Sequence, residues 1–344
     1  MKIIIRTMAW CILLSGCFSC TIQKRVYMSG YYVEWLSFRK TKPNPLNYKF
    51  TGYSLNAYNA LSTKPSEETM IDAGNPAAIY CKEGTVIRFP DNAFVYEDGS
   101  CIKCTQVAVY VTEFYTMSDI IASGLTTSDN KRTLASAGMV YIEARCHGEK
   151  LKLKHGKSVT IKMPATESDT KMKSFSGKLK DGIVDWSLNG SLTLDNSESA
   201  EKLPLGDYDG PVESFRVEGR DEYEETYLMT MTKLGWINCD RFYETKNPVK
   251  LLVKADSVEK TFVALIFKDM KSILPGNQFT NFTTEFTGIP SGEAATILAY
   301  RINEKTKQAI VGQQEVILGD TSVVQLSMQS MELRDFKSML AQFN

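Results

Sequence analysis

The stretch Gln106-Val107-Ala108-Val109-Tyr110-Val111-Thr112 decides the fold class of this chain. Its valines recur at every second position, which is the period of a β-strand with one face on a core. Similar short, β-branched or aromatic segments occupy 85–89, 139–144 and 158–163, and turn-forming residues bound them at 97–100, 147–149 and 155–157. This rhythm predicts a β-sandwich over residues 77–165. The one helix it allows there is short, Met117 to Ala122.

Strand-like segments resume in the second half of the chain, at 227–231, 249–253, 262–267, 295–300, 309–311 and 322–326. They predict a second β-rich domain over 216–344, joined to the first by a partly ordered bridging region at 166–215. The chain closes with a predicted amphipathic helix whose apolar stripe is Leu333, Phe336, Leu340 and Phe343, with Ser330 as its N-cap. The expected fold class is therefore all-β (mainly), with two β-sandwich-like domains and a short C-terminal helix.

The composition is that of a folded protein, and it argues against some classes of binding partner. Its 344 residues carry 40 Lys+Arg against 40 Asp+Glu, so a nucleic-acid-binding surface spread over the whole protein is not expected. Hydrophobic residues make up 43% of the chain, enough for real cores. With only two histidines, a catalytic triad or a histidine-based metal site would have to use His147 or His155.

Residues 1–16 have the features of a bacterial export signal. Lys2 and Arg6 precede a short apolar stretch at 8–14, which is far too short to span a membrane. The stretch ends in Leu14-Ser15-Gly16-Cys17, which resembles the lipobox of bacterial lipoproteins, so Cys17 is the predicted lipidation site. Cys20 is a second candidate, preceded by a poorer box.

A lipid-anchored tether is predicted over 17–76, where no sustained hydrophobic period occurs after residue 43. Near the anchor, basic and aromatic side chains are interleaved: Lys24, Arg25, Tyr27, Tyr31, Tyr32 and Trp35. Such residues suit the headgroup layer of a bilayer, although the same aromatic side chains could instead dock on the folded body.

Cysteines form the most chemically suggestive motif. Cys101-Ile102-Lys103-Cys104, together with Cys81 and Cys146, could supply a disulfide, free thiols, a zinc site or a redox pair. An oxidising compartment favours a disulfide, and the sequence does not choose among the pairings. Cys239 is expected to be a buried free thiol.

Two sets of charged residues suggest alternative activities. A hydrolase would need two facing carboxylates, for which Glu113, Asp119, Asp185 and Asp240 are the candidates. Lysines alternate with leucines over 150–154, so they share one strand face, as is usual for a solvated edge strand. That face is also a candidate contact for an anionic glycan or lipopolysaccharide.

A series of motifs in the first domain carries a family resemblance: 83–95, 113–115, 119–121 and Ser136-Ala137-Gly138-Met139. Together they resemble a family of Bacteroidetes outer-membrane lipoproteins of unassigned activity, whose β-sandwich is similar to the domain shared by netrin receptors, ankyrins and the zonula-occludens scaffold protein. In this pattern Pro90 ends a strand, Phe94 fills the core at a corner, and Gly138 occupies a crowded backbone position. A later segment, 234–243, resembles one found downstream in the same lipoproteins.

The resemblance implies binding or scaffolding and brings no catalytic residues, metal or cofactor. The expected protein is thus a non-catalytic outer-membrane lipoprotein, a binding or scaffold component of the cell envelope. Its expected partners are the lipid bilayer, reached through the lipid anchor, and other envelope proteins, with a glycan possible and no nucleic acid. Since no acidic cluster directly follows Cys17, the resemblance favours the periplasmic side of the outer membrane over the cell surface. The alternatives are a glycan- or peptide-binding module and a hydrolase with paired carboxylates.

Overall fold

The computed structural model describes residues 64–129, 132–165, 169–180, 183–191, 193–195, 226–255, 261–280, 282–303, 305–319 and 322–344. All of them belong to one compact unit. The strands up to residue 242 are β1 Glu67–Asp72, β2 Ala77–Tyr80, β3 Val86–Phe89, β4 Phe94–Tyr96, β5 Gln106–Phe114, β6 Leu134–Cys146, β7 Glu149–Leu153, β8 Val159–Pro164, β9 Lys173–Lys180, β10 Ile183–Ser191, β11 Thr193–Asp195, β12 Thr226–Met231 and β13 Gly235–Phe242. Those after it are β14 Pro248–Lys254, β15 Phe262–Phe267, β16 Ser272–Pro275, β17 Asn277–Thr280, β18 Thr283–Pro290, β19 Ala294–Asn303, β20 Gln308–Ile317, β21 Ser322–Gln325 and β22 Gln329–Glu332.

Two sheets build the first sandwich. One has the order β1-β5-β6-β13-β9-β10, with β7 joined to β6 and β4 joined to β7, and the other has the order β11-β12-β8-β3-β2. The valines of β5 (Val107, Val109 and Val111) point into the shared core, together with Ile87 and Ile161 of the facing sheet. The period-2 pattern of the sequence thus has a direct cause, because only every second side chain of β5 is removed from water on this face.

The corner residues of the first sandwich occupy the predicted places. β3 ends at Phe89, directly before Pro90, and Phe94 packs on Phe89 with ring centroids 5.3 Å apart. Gly138 has a φ of +145°, and a Cβ added there would lie 2.3 Å from Cδ1 of Tyr115. A side chain at this position would collide with a buried ring, so the crowding expected from the motif is confirmed.

The second sandwich consists of two facing sheets. One has the order β17-β18-β14-β21, and the other has the order β16-β15-β19-β20-β22. Its core is built from aliphatic and aromatic side chains, among them Val263, Leu265 and Phe286. Every residue of β15 is buried, so this strand is covered on both faces. The all-β class and the sandwich-like architecture expected from the sequence are confirmed.

Two short helices pack beside these sheets. α1 spans Met117–Ala122, as predicted, with the Thr116 hydroxyl accepting from the Asp119 backbone N–H. α2 spans Leu333–Leu340 and is followed by a 3-10 turn at Ala341–Phe343; the apolar stripe is buried as expected. The predicted N-cap was wrong, because Ser330 lies in β22 and the helix begins after Glu332, which makes no side-chain cap.

The loop after α1 joins the two sandwiches. The Thr127 N–H donates to the Ile273 carbonyl at 3.0 Å, and the Ile273 N–H donates to the Thr127 hydroxyl at 2.7 Å. Farther along the contact, the Tyr300 hydroxyl donates to the Ile121 carbonyl at 3.2 Å. Backbone groups that would otherwise be buried without partners are therefore satisfied across the contact.

Two of the expected boundaries differ from the structure. The predicted tether ran to residue 76, but 67–72 form β1, which pairs antiparallel with β5 and gives the first sheet an edge. The second domain was expected from 216, but β12 pairs with β8 and β13 pairs with β6, so both belong to the first sandwich. A strand's partner is set by long-range packing, which local periodicity does not encode.

Candidate functional site

The lysine face of β7 forms one wall of a cleft. Leu151 and Leu153 are buried in the first sandwich core, which turns Lys150 and Lys152 of β7, and Lys154 just beyond it, to the opposite side. This orientation is what the alternation in the sequence predicts. The packing of these two leucines in the core fixes the backbone that carries the lysine row, Lys150, Lys152 and Lys154.

The cleft lies where β6 of the larger sheet changes its neighbouring strand from β13 to β7. Residues 134–142 of β6 pair with β13, and residues 144–146 pair with β7. Glu143 falls between the two ladders and pairs only on its other side, with Tyr110 of β5. The resulting cavity has a volume of about 730 Å³, and its far wall is the β12–β13 turn at 232–235.

Five lysines and two glutamates line this cleft, an excess of three positive charges. Glu143 is nearly fully buried; it forms an ion pair with Arg145, accepts from the Tyr141 hydroxyl at 3.0 Å, and lies 3.6 Å from the Lys150 ammonium. The hydrogen bond from Tyr141 and the positive charges of Arg145 and Lys150 thus stabilise the buried negative charge of Glu143, as a buried carboxylate requires.

The remaining lysines differ in how they are engaged. Lys152 donates to the Glu97 carbonyl at 2.6 Å, and its positive charge also stabilises the nearby Asp98 carboxylate. Lys157 pairs with Asp91 at 2.8 Å. Lys154 and Lys233 are exposed, and neither ammonium meets a partner in the part of the chain that the structure describes. These two side chains are therefore the ones available to an incoming anion.

The cysteine motif lies beside a second, smaller cavity. Cys104 is joined to Cys146 in a disulfide that links residues 42 positions apart, and the Tyr96 hydroxyl lies 3.3 Å from the Cys146 sulfur. Cys101 is an exposed free thiol and Cys81 a buried one, so of the four cysteines named from the sequence two are paired. Cys101 and Cys104 line this cavity of about 390 Å³, whose wall also includes Lys154. Cys239 is buried and free, as expected.

Glu113, the first of the candidate hydrolase carboxylates, points into the first sandwich. Its oxygens accept from the backbone N–H groups of Glu83 and Thr85 at 2.7 and 2.9 Å, and from the Thr85 hydroxyl at 2.6 Å. Burial raises the pKa of this carboxyl, and these hydrogen bonds oppose the shift. The group ties β5 to the loop before β3, which is a structural arrangement.

The other carboxylates lie in separate surroundings. Asp119 of α1 receives the Lys64 ammonium at 2.6 Å, and Asp185 lies on β10 opposite Lys178. None of the four hydrolase candidates lines the lysine cleft. The structure therefore does not bring a pair of them together in that cleft.

Asp240 is the most unusual of these groups. It is fully buried on β13, where it accepts from the Asn238 amide at 2.6 Å, while its Oδ1 has no hydrogen-bond partner. Burial raises its pKa to about 8, against which hydrogen bonds from Ser136 and Asn238 act. The carboxyl is therefore largely protonated at neutral pH.

Some predicted site residues lie outside the described residues: Cys17, Cys20, Lys24, Arg25, Tyr27, Tyr31, Tyr32 and Trp35. Lys233, Glu97 and Glu143 also line the cleft, and no motif in the sequence predicts them there. Lys233 lies two residues after the end of β12 and 79 residues after Lys154, and no local pattern connects it to the row of lysines on β7. The local signal is that 232–235 separates two strand-like segments, which predicts a loop but not what the loop packs against.

Comparison with known proteins does not assign this chain to a family. No family model matches the chain, and no curated protein matches it. Among solved structures, the Bacillus anthracis TIE protein aligns at 9% identity with a TM-score of 0.17, covering 76% of this chain and 40% of that chain. So low a structural similarity supports no statement about fold or function. The chain spans about 40% of that protein's length.

The class that the fold and the cleft define is an all-β protein of two sandwiches with a cationic cleft in the first. Within the described residues, no group of three or more side chains is placed to hold a metal ion. None of the helices in those residues is long and apolar enough to cross a membrane. The resemblance to the Bacteroidetes lipoprotein family remains a prediction from the sequence motifs.

Proposed function

We propose that this protein is a lipid-anchored, non-catalytic binding component of the bacterial outer membrane, facing the periplasm. The anchor is Cys17, and the residues after it tether the folded body to the bilayer. The lipobox and the basic, aromatic segment beside it support this assignment. Its partners are the bilayer and other envelope components that dock on the body.

The lysine cleft is the observation that carries the binding assignment. It combines an excess of three positive charges with a volume suited to a small ligand, and it is built on strands whose opposite faces are buried. Binding groups fixed on a rigid sheet lose little conformational entropy when a ligand arrives. Because the candidate hydrolase carboxylates lie outside this cleft, binding is favoured over hydrolysis.

The anchor is tested by the intact mass of protein purified from membranes of a Gram-negative host. We expect a chain that begins at Cys17 and carries the added mass of a diacylglycerol and an acyl chain. Cys17→Ser should remain unprocessed and lose the lipid, whereas the matched control Cys20→Ser should be processed normally. A mature chain that retains residues before Cys17, or that carries no lipid, would overturn the lipoprotein assignment.

The binding role is tested by pull-down of the native protein from envelopes, followed by mass spectrometry. A reproducible set of co-purifying envelope components that is lost with a cleft variant, Lys154→Glu/Lys233→Glu, supports the proposal. Recovery of the protein alone, at high yield and repeatedly, contradicts it.

A further inference from the structure

We infer that the lysine cleft binds a saccharide that carries two phosphate groups. This deepens the proposed function and rests on its binding assignment, not on the lipid anchor. The chemistry follows from three features of the cleft: lysines on two of its walls, an exposed carboxylate among them, and a section of wall formed by Gly156, Gly235 and Leu234.

The lysines lie on two walls of the cleft. Lys152 and Lys154 are two residues apart on one side of an extended segment. Lys233 reaches the same cavity from the opposite wall. Lysines on facing walls can hold two anionic groups at once, whereas a single phosphate engages only part of the set.

One glutamate argues against a densely anionic polymer. The exposed Glu97 lines the cleft, and a chain with a charge on every unit would place an anion against it, whereas Glu143 is nearly fully buried and already engaged by Arg145 and Tyr141. Carboxylates accept hydrogen bonds, and sugar hydroxyls donate them. A ligand with phosphates at its ends and hydroxyls between them matches both sets of side chains.

The shape of the cleft argues against a flat membrane surface. Its lysines surround a recessed space of about 730 Å³ and do not form a level patch. Gly156 and Gly235 add no side chain to the walls, and the half-buried Leu234 supplies an apolar surface for a ring.

The test measures binding by calorimetry in low salt, with glucose 1,6-bisphosphate as the probe. Glucose and inorganic phosphate serve as the two half-ligand controls. We expect the bisphosphate to bind at least about tenfold more tightly than inorganic phosphate, and glucose not to bind measurably. Equal binding of the bisphosphate and inorganic phosphate would overturn the two-phosphate assignment.

The variant Lys154→Glu/Lys233→Glu should weaken bisphosphate binding by on the order of a hundredfold. Both side chains are exposed and unpaired within the described residues, so the fold should be retained, and thermal unfolding checks this. Lys178→Glu/Lys254→Glu changes the net charge equally at two exposed sites outside the cleft and should change affinity less than about threefold. Equal loss in both variants would overturn the site. If the charge reversal proves unstable, Lys154→Gln/Lys233→Gln provides the same comparison.

A second arm identifies the source of the phosphosugar. Purified lipopolysaccharide presents phosphorylated sugars on a lipid, whereas phosphatidylglycerol vesicles present anionic lipid without them. Competition of the soluble bisphosphate by lipopolysaccharide, but not by the vesicles, assigns the lipid headgroup. Competition by neither supports a free phosphosugar, and equal competition by both overturns the saccharide in favour of an anionic membrane surface. Since none of these readouts uses the lipid anchor, failure of the Cys17 test leaves them unaffected.

Discussion

The two sandwiches of this protein are built from similar strands but differ in what they bury. The first contains the buried carboxylates Glu113 and Asp240, the Cys104–Cys146 disulfide, and the lysine cleft. The second is held by a mainly aliphatic and aromatic core, and a cavity among its described residues has a volume of about 60 Å³. Under the binding proposal, this difference amounts to a division of labour, in which the second sandwich supports the fold and the first binds the ligand.

The largest effect is expected from removing Asp240, the fully buried carboxyl of the first sandwich. The pKa of Asp240 is about 8 in the folded state, well above the ordinary value of 3.8 that the unfolded chain has. Between pH 4 and pH 8 the unfolded state ionises while the folded state keeps its proton, so stability contributed by this group is lost as pH rises. Asp240→Asn should therefore match the wild type near pH 4 and exceed it by several kcal/mol near pH 8.

Urea unfolding of both proteins at pH 4, 6 and 8 measures this difference. The stability gap should widen with pH and become level above about pH 8. A gap that is the same at all three pH values would show that Asp240 ionises normally, and the contrast between the sandwiches would lose its strongest support.

The next effect concerns the supporting role of the second sandwich. Phe336 of α2 is fully buried, with its ring centroid 4.9 Å from that of Tyr300. Phe336→Ala should lower the free energy of unfolding by about 3–5 kcal/mol through loss of burial and a residual cavity. Arg334→Ala on the exposed face of the same helix is the matched control and should change it by less than about 0.5 kcal/mol.

The same two variants also probe the division of labour. Neither should change the affinity of the cleft for glucose 1,6-bisphosphate under conditions where the protein is folded. A loss of affinity in folded Phe336→Ala, measured by the same calorimetry, would show that the second sandwich takes part in binding.

The smallest of the three effects comes from the disulfide. Cys146→Ser opens a covalent loop of 42 residues and should destabilise the first sandwich by about 2–4 kcal/mol. Cys101→Ser should be nearly neutral, because this thiol is exposed and unpaired. Chemical denaturation without reductant measures both, and peptide mapping identifies the pair. If Cys101→Ser is as destabilising as Cys146→Ser, then Cys101 is part of the native disulfide.

Local patterns predicted much of the fold because they act over a few residues. The alternation at 106–112 predicted β5, the segment Met117 to Ala122 was the predicted short helix α1, and the Pro90 and Phe94 corner predicted the end of β3. Each depends on neighbours within one turn or one strand. The side-chain direction of the lysines at 150–154 followed from the same rule.

The pairing of strands and the composition of the cleft could not be read in this way. The residues of β13 fall in the predicted second domain because they follow a long stretch of different composition, yet β13 pairs with β6 of the first. That pairing brings Lys233 to the lysine row and leaves Glu143 between two ladders. The residues that neighbour Lys233 and Glu143 in the sequence form no pattern that predicts these contacts.

The sequence by itself determined the all-β class, the strand faces and the set of cysteines available for pairing. Only the tertiary structure decided which cysteines join, how deeply Asp240 is buried, and which charges share a cleft. The physical reason is that side-chain alternation is a property of one strand in contact with water on one side. Disulfide geometry, desolvation and charge clustering depend on residues that are distant along the chain and adjacent only after folding.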